Sequence, residues 1–315
     1  MSLSKRFVQI VKAIIKAVDP SSAMGIAEGQ KFSHDSVYRV LTEGKNCFSI
    51  LALNRLQAIG GLIGGYFVLD DSMMVRYGSG KLKLKKIKNS STGQYTYGFN
   101  IVLLIWTNGT IRIPIGFRVF LAQEGEKSKI ELALEMLEEA KKLGLQPKYV
   151  LFDAWYGAES ILNYLEGAAW KFVTRLRNNR LLDKVQVSKD RRVYWVKVGR
   201  LEKMRSDVVV ARHQKQYLVS NDVNLSRIAL RALYRIRQNI EEAFRSLKQE
   251  LGWEGFRFRT LETLDTFIGL TLSGYAIIEV ARSKVKLSFY KFRAGLISGR
   301  LDTPDIVIDK SFATA

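Results

Sequence analysis

Two short apolar runs, each followed directly by aspartate, place the strongest constraint on how this chain folds. Residues 66–69 precede Asp70 and Asp71, and residues 149–152 precede Asp153. A continuous apolar run of this length is typical of a strand covered on both faces, as in a sheet between helices. The two runs therefore predict buried strands of an α/β domain with carboxylates at their ends.

The segments around these runs predict the element order β-β-β-α-β-α-β. Asn108-Gly109 is a two-residue hairpin signal between two strand patterns. Ser128 and Glu131 fit a capping box, which opens a helix that stops before Gly144. The predicted strands span 66–69, 97–106, 111–121, 149–152 and 171–175, and the predicted helices span 128–143 and 158–165.

The remaining segments predict a helical beginning, a β-rich insertion and a long apolar helix. Residues 1–58 contain three short helical patterns, which suit either a small DNA-binding module or a simple packing unit. Residues 177–220 are basic and alternate as short strands do. The expected domains are a helical region of 1–58, a central domain of 59–176 and 221–283, an inserted subdomain of 177–220, and an irregular tail of 284–315.

Charge and composition indicate a polyanionic partner. The 315 residues include 50 Lys and Arg against 30 Asp and Glu, a net charge of +20. Such an excess suits nucleic acid, because cations that neutralise phosphates release condensed counterions. One cysteine and two histidines exclude an intrachain disulfide and disfavour a zinc site, so any metal would be held by carboxylates.

No segment predicts membrane insertion or export. The longest apolar candidate, residues 266–278, is shorter than the about 20 residues that a span needs. The first 17 residues alternate charged and apolar side chains as an amphipathic helix does. We therefore expect a cytoplasmic, nucleoid-associated protein without a membrane partner.

A predicted helix over residues 229–251 carries the most specific pattern. Tyr234, Arg237, Glu241 and Lys248 lie at spacings of 3, 4 and 7. At about 100° per residue they fall within an arc of roughly 60° on one face, and apolar residues occupy a separate arc. This edge would present a carboxylate between cations and a phenol, a suitable surface for holding a metal beside a phosphate.

The spacing Y-x2-R-x3-E-x6-K resembles the YREK signature of one branch of cut-and-paste DDE transposases from bacterial and archaeal insertion sequences. Asp153 in Asp-Ala-Trp-Tyr is similar to a second element of that family. The resemblance implies a ribonuclease-H-like catalytic domain whose mixed sheet, flanked by helices, places the two acid-bearing strands side by side. It also implies a β-rich insertion before the last catalytic helix.

The resemblance implies a two-metal site for Mg²⁺, with Mn²⁺ as a substitute, held by Asp71, Asp153 and Glu241. The family places its first aspartate directly before Thr or Ser, which favours Asp71 over Asp70. On physical grounds the choice stays open, because neighbouring residues of a strand point to opposite faces.

The implied activity is DNA transposition: binding of the terminal inverted repeats, cleavage with hairpin intermediates, and joining of 3′ ends to target DNA by a homodimer. Tyr234, Arg237 and Lys248 would contact DNA, and Arg245 would add a phosphate contact. Trp195 would either stack on a flipped base or pack within the insertion. The lysine-rich segment 81–88 suits DNA contact or a charged edge strand. The alternatives are a nuclease without strand transfer and a non-catalytic or domesticated DNA-binding protein.

Overall fold

The protein was analysed as a computed structural model that describes residues 5–43, 48–88 and 92–302. Its helices are α1 (Lys5–Lys16), α2 (Ala23–Ala27), α3 (His34–Thr42), α4 (Phe48–Ala58), α5 (Lys129–Lys142), α6 (Glu159–Gly167), α7 (Arg227–Ile236), α8 (Gln238–Glu250), α9 (Leu261–Lys284) and α10 (Phe289–Ile297). Its strands are β1 (Tyr66–Val75), β2 (Lys86–Lys88), β3 (Tyr95–Thr107), β4 (Arg112–Phe120), β5 (Tyr149–Phe152), β6 (Phe172–Leu176), β7 (Leu181–Leu182), β8 (Val185–Gln186), β9 (Lys197–Gly199), β10 (Val208–His213) and β11 (Gln216–Ser220).

Nine strands of the described chain form one mixed sheet. Eight of them follow the order β2-β3-β1-β5-β6-β11-β10-β9, and β4 pairs with residues 100–107 of β3. Strands β1 and β5 are parallel neighbours, and Leu69 lies opposite Phe152 at the last parallel pair. Strand β6 continues the parallel set, whereas β3 and β11 run antiparallel to their neighbours. The adjacency of β1 and β5, which was expected from the fold resemblance, is confirmed.

Each face of the sheet covers a separate apolar core. Val68 of β1 and Leu151 of β5 pack with the core-facing residues of α8 and α9. Leu69 and Phe152 point the other way, into the core formed with α5 and α6. Successive strand side chains alternate between faces, so these four residues define which face every later side chain of β1 and β5 occupies.

Three predicted strand features differ from the structure. Strand β1 continues to Val75, because β3 goes on pairing with it after β5 has ended. Asp70 and Asp71 therefore lie inside the strand. The hairpin loop spans residues 108–111 rather than two residues, since the Asn108 side chain accepts hydrogen bonds from the amides of Thr110 and Ile111. Within the lysine-rich segment, only Lys86–Lys88 is a strand.

The predicted helix over 229–251 is two helices that meet at Arg237. The amide of Arg237 donates to the carbonyl of Tyr234, and the amide of Ile240 donates to the carbonyl of Arg237. Both are three-residue spans, which tighten the chain locally between α7 and α8. The single continuous helix assumed from the sequence is therefore wrong at this point: Tyr234 lies on α7, and Glu241 and Lys248 lie on α8.

Helix α9 lies at the centre of the larger core and organises the helices around it. It has the length and apolar composition of a membrane-spanning helix, and 83% of its most apolar window is buried inside the protein. Ile14 and Ile15 of α1 are fully buried in the same core. A Cβ on Gly274 of α9 would lie 3.3 Å from Ile15, so α1 crosses α9 closely.

The regions outside the central domain are less separate than expected. Helices α1 and α3 share the α9 core, which favours the packing-unit interpretation of residues 5–43, and a DNA-binding role there stays a prediction. Strands β9, β10 and β11 of the insertion extend the main sheet. The expected tail contains α10, whose Ser288 hydroxyl caps the helix and whose Phe289 stacks on Tyr275. Residues 303–315 of the tail lie outside the described residues.

Replacing Gly252 with alanine tests how tightly the N-terminal region docks. Gly252 has φ +78°, and a Cβ there would lie 2.7 Å from the Pro20 carbonyl oxygen. Gly29 has φ +69°, with no atom within 4 Å of a built Cβ. We expect Gly29→Ala to cost about 1 kcal/mol from backbone strain alone, and Gly252→Ala about 3 kcal/mol because overpacking is added. Urea unfolding midpoints measure both, and equal losses would contradict the close contact.

Candidate active site

The register of β1 and β5 brings two carboxylates together. Asp70 and Asp153 each follow directly after the last parallel pair, Leu69 and Phe152. Asp70 is two residues beyond Val68, and Asp153 is two residues beyond Leu151. Both of these apolar side chains face α8 and α9. The Asp153 carboxylate accepts a 2.8 Å hydrogen bond from the amide of Trp155, which fixes it at the turn after β5.

Arg237 joins these strands to α8. Its guanidinium donates to Asp70 over 2.6 Å and, through its second terminal nitrogen, to Glu241. The Arg237 side chain is only 15% exposed, whereas Glu241 is about half exposed. Asp70, Asp153 and Glu241 therefore converge around one guanidinium at the face of the sheet that α8 covers.

Burial has the largest effect on the pKa of the Asp70 carboxyl. It raises the pKa of the Asp70 carboxyl to about 7, and the negative charges of Asp153 and Asp71 add to this effect. The Arg237 cation and the amide of Asp71 act in the opposite direction without cancelling it. The raised pKa thus reflects mainly the cost of burying a charged carboxylate, with a smaller contribution from the neighbouring acids.

The three carboxylates line an open groove of about 680 Å³. Its other wall carries Arg245, which is exposed, and Lys248, whose amine donates to the carbonyl of Met73 over 3.0 Å. Desolvation lowers the pKa of Lys248, with Glu254 opposing the shift. The groove is thus acidic at its floor and basic along the exposed side of α8.

Asp71, the first acid expected from the family pattern, has its carboxylate engaged away from Asp153. It reaches the groove, but its carboxylate belongs to the opposite face, where it accepts from Lys129 at 2.9 Å, Tyr156 at 2.8 Å and Asn100 at 2.6 Å. The alternation of β1 explains the difference: Asp71 follows the Phe67 and Leu69 side, towards α5 and α6. Asp70 therefore replaces Asp71 as the candidate first acid.

The donor set fits a divalent cation. Carboxylate oxygens are the ligands that Mg²⁺ and Mn²⁺ prefer, and an added cation would stabilise the charged form of the buried Asp70 carboxyl. The described residues contain no assembled group of three metal-ligating side chains. The reason is visible in the geometry: the guanidinium of Arg237 lies between the carboxylates of Asp70 and Glu241.

Tyr234 is held at this site from the side of α7. The Arg237 guanidinium carbon lies 5.7 Å from its ring centroid. Burial raises the pKa of the Tyr234 hydroxyl, and the hydroxyl finds no hydrogen-bond partner among the described residues. A buried hydroxyl without a partner is costly in a folded protein, so the Tyr234 hydroxyl is an unsatisfied polar group beside Arg237.

Trp195 lies on a separate surface at the far end of α7. Its side chain is 77% exposed, so it does not pack within the insertion. Together with Tyr194 and three arginines it lines a shallow depression of about 630 Å³, and the Arg212 guanidinium lies 4.3 Å from the Tyr194 centroid. One of these arginines, Arg227, stands at the start of α7, about 15 Å along the helix from Arg237.

A buried ionic network fixes α8 and was missed by the sequence analysis. Glu279 of α9 is fully buried and bonds both Arg112 of β4 and Arg282. Arg112 also pairs with Glu242, the residue beside Glu241. Since Arg112 and Glu279 stand far apart in the chain, only their burial within otherwise apolar segments could have signalled the pairing.

The matched family agrees with this geometry. The sequence profile of the family described as "Transposase DDE domain" matches residues 65–277, more than half of the chain. The chain belongs to the DDE transposase family. It is therefore a DNA transposase, an enzyme class that cleaves nucleic acid, and no curated protein sequence gives a significant match.

One solved transposase structure shares the overall fold of this chain. A piggyBac transposase synaptic complex with hairpin DNA matches with a TM-score of 0.52 and 12% identity, over 95% of this chain and 72% of that chain. The Mos1 strand transfer complex matches with a TM-score of 0.27 and 11% identity, over 95% and 77%. The expected ribonuclease-H-like α/β fold, with a mixed sheet and flanking helices, is confirmed.

The raised pKa of Asp70 predicts how the stability of the metal-free transposase depends on pH. Between about pH 4 and pH 7 the folded state keeps a proton on Asp70 that the unfolded chain has released. The free energy of unfolding should therefore fall as pH rises through this window. Asp70→Asn should remove that slope and stabilise the protein by about 2 kcal/mol at pH 8.

Asp71→Asn is the matched control, measured by urea unfolding from pH 4 to pH 8 in the presence of a chelator. Its carboxylate is fully engaged by Lys129, Tyr156 and Asn100, so its loss should destabilise the protein at pH 8. An unchanged slope in Asp70→Asn would show that Asp70 titrates as an ordinary carboxyl.

Proposed function

We propose that this transposase moves its own insertion sequence by cut-and-paste, using Asp70, Asp153 and Glu241 as the catalytic and metal-binding triad. The observation that carries the proposal is the convergence of these three carboxylates around Arg237 on one face of the sheet. In its native setting the protein binds the terminal repeats of the element, cleaves at the 3′ ends and joins them to target DNA.

The triad would hold two Mg²⁺ or Mn²⁺ ions, with its carboxylates positioned by two strands and one anchored helix. When bound, such ions make an attacking hydroxyl more nucleophilic and stabilise the leaving oxygen in phosphoryl transfer. The protein contributes positioning: the Trp155 amide orients Asp153, and the pair of Arg112 with Glu242 holds the turn of α8 that carries Glu241.

The basic side of the groove would hold the DNA backbone. Arg245 and Lys248 lie along α8 beside the triad, and Arg237 lies directly between the acids. A guanidinium binds phosphate through two parallel hydrogen bonds, and an ammonium acts as a point charge. We propose that Arg237 exchanges its carboxylate partners for a DNA phosphate, which would leave the acids free to bind metal.

The surface around Trp195 would hold a base that leaves the duplex. An exposed indole beside Tyr194, Arg191 and Arg212 offers a stacking face surrounded by cations. Stacking of one base on an aromatic side chain contributes about 1–3 kcal/mol. Hairpin intermediates and a homodimer that holds two ends belong to the same proposal. They are supported by the YREK spacing of residues 234–248.

Cleavage by variants tests the triad. A plasmid that carries the gene with its native flanks would be incubated with purified protein and Mg²⁺ or Mn²⁺, and DNA ends would be mapped. We expect metal-dependent breaks at the borders of the element. Asp70→Asn, Asp153→Asn and Glu241→Gln should each lower the rate about 1,000-fold or more while DNA binding persists. Asp71→Asn should lower it only about 10- to 100-fold, because Asp71 supports the site through its neighbours.

The outcomes separate the alternatives. An active Asp70→Asn beside an inactive Asp71→Asn would overturn the assignment of the first acid. Border cleavage without joined products would indicate a nuclease that lacks strand transfer. Binding without cleavage by the wild type, under every metal, would indicate a non-catalytic DNA-binding copy.

Substituting Trp195 tests the stacking surface. We expect Trp195→Ala to slow hairpin formation at the borders and to weaken binding of a border duplex with one unpaired base about 5- to 100-fold. Trp195→Phe should keep most of the affinity, because it keeps an aromatic face. Electrophoretic mobility shifts measure binding, and equal affinities of Trp195→Ala and wild type would remove Trp195 from the site.

A further inference from the structure

A second cavity opens directly beside the catalytic groove. It has a volume of about 510 Å³ and lies between the loop that follows β1 and residues 254–258, which follow α8. Val75 and Glu254 line both the cavity and the groove. A DNA strand that crosses the triad and continues past Lys248 would therefore reach this cavity next.

The inner wall of the cavity combines a cation with aromatic rings. The guanidinium carbon of Arg76 lies 5.1 Å from the ring centroid of Phe99 and 5.5 Å from that of Phe258. Arg76 is held there by hydrogen bonds to the carbonyls of Trp253 and Glu254. Phe99 is buried beneath this wall, whereas Arg76 and Phe258 are partly exposed and offer cationic and aromatic groups against which a planar ring can pack.

Arg76 keeps its positive charge in a partly buried position at this wall. Burial lowers the pKa of Arg76, with Glu254 opposing the shift. Its Nε is closed to solvent and has no hydrogen-bond partner among the described residues, so a ligand in the cavity would meet the outer part of the Arg76 side chain.

The mouth of the cavity is aromatic and cationic. Tyr77 is fully exposed, although a tyrosine gains stability only when its ring is packed. Lys81 and Arg257, which line the same cavity, are also exposed. The acidic residue at this rim, Glu254, already lies 3.7 Å from Lys248. The mouth thus suits a ligand with a planar ring and a negatively charged backbone.

We propose that this cavity binds an unpaired nucleobase of the DNA strand that leaves the catalytic groove. Tyr77 stacks on the base, the wall formed by Arg76 and Phe258 accepts its edge, and Lys81 and Arg257 contact the flanking phosphates. The occupant is single-stranded because a paired base cannot enter a pocket without leaving its stack. The inference rests on the proposed function, since it takes the strand's path from the triad.

The test measures single-strand affinity apart from catalysis. A fluorescein-labelled dT12 strand and a duplex of the same length would be titrated with full-length protein in Ca²⁺, with fluorescence anisotropy as the readout. We expect Tyr77→Ala to weaken dT12 binding about 5- to 100-fold and to leave duplex binding unchanged. Tyr77→Phe should keep the affinity. Tyr38→Ala, which removes another exposed tyrosine outside the cavity, should have no effect.

A crosslink locates the base independently of affinity. Strands containing 5-bromodeoxyuridine would be irradiated with the protein, and the modified peptide would be identified by mass spectrometry. A crosslink to the peptide that contains Tyr77 supports the proposal. Wild-type affinity in Tyr77→Ala, an equal loss for the duplex, or crosslinks that all lie elsewhere would overturn it.

The proposed function fails separately. Border cleavage that survives in Tyr77→Ala, together with an unchanged dT12 affinity, would overturn the pocket and leave the triad standing. If neither the wild type nor Asp153→Asn cleaves at the borders, the proposed triad is overturned. The dT12 comparison would still decide whether the pocket binds a base.

Discussion

The parallel pairing of β1 with β5 is the constraint on which the site depends. It ends with Leu69 opposite Phe152, so the next residue of each strand is an aspartate at the same level of the sheet. A shift of one residue in this register would turn Asp70 or Asp153 towards the opposite core. The fully buried side chains on both faces of β1 make such a shift costly, which gives the carboxylates a fixed separation without a bond between them.

Ionic contacts then bring α8 to this pair of strands. Arg237 spans Asp70 and Glu241 on one side, whereas on the other the buried pair of Arg112 and Glu279 reaches α8 through the exposed Glu242. Removing one partner from a buried network leaves an uncompensated charge, so this arrangement tolerates few changes. The break between α7 and α8 falls at Arg237, and the helix axis can therefore change direction where the two sets of contacts meet.

Much of the fold followed from local patterns in the sequence. The apolar runs predicted β1 and β5, and the capping box at Ser128 and Glu131 predicted α5. The choice between Asp70 and Asp71 did not follow, because alternation shows that the two differ but not which face α8 covers. The Arg112–Glu279 pair and the helix break at Arg237 depend on contacts between distant segments or on local tightening, which periodicity does not reveal.

The packing of α1 across α9 has a consequence for how relatives of this protein can diverge. Ile14 and Ile15 belong to the same core as the helix that carries Glu279, so the first helices do not form an independent structural unit. A chimera that joins the beginning of one transposase to the centre of another would have to match two surfaces that changed together. Such exchanges should therefore be rare.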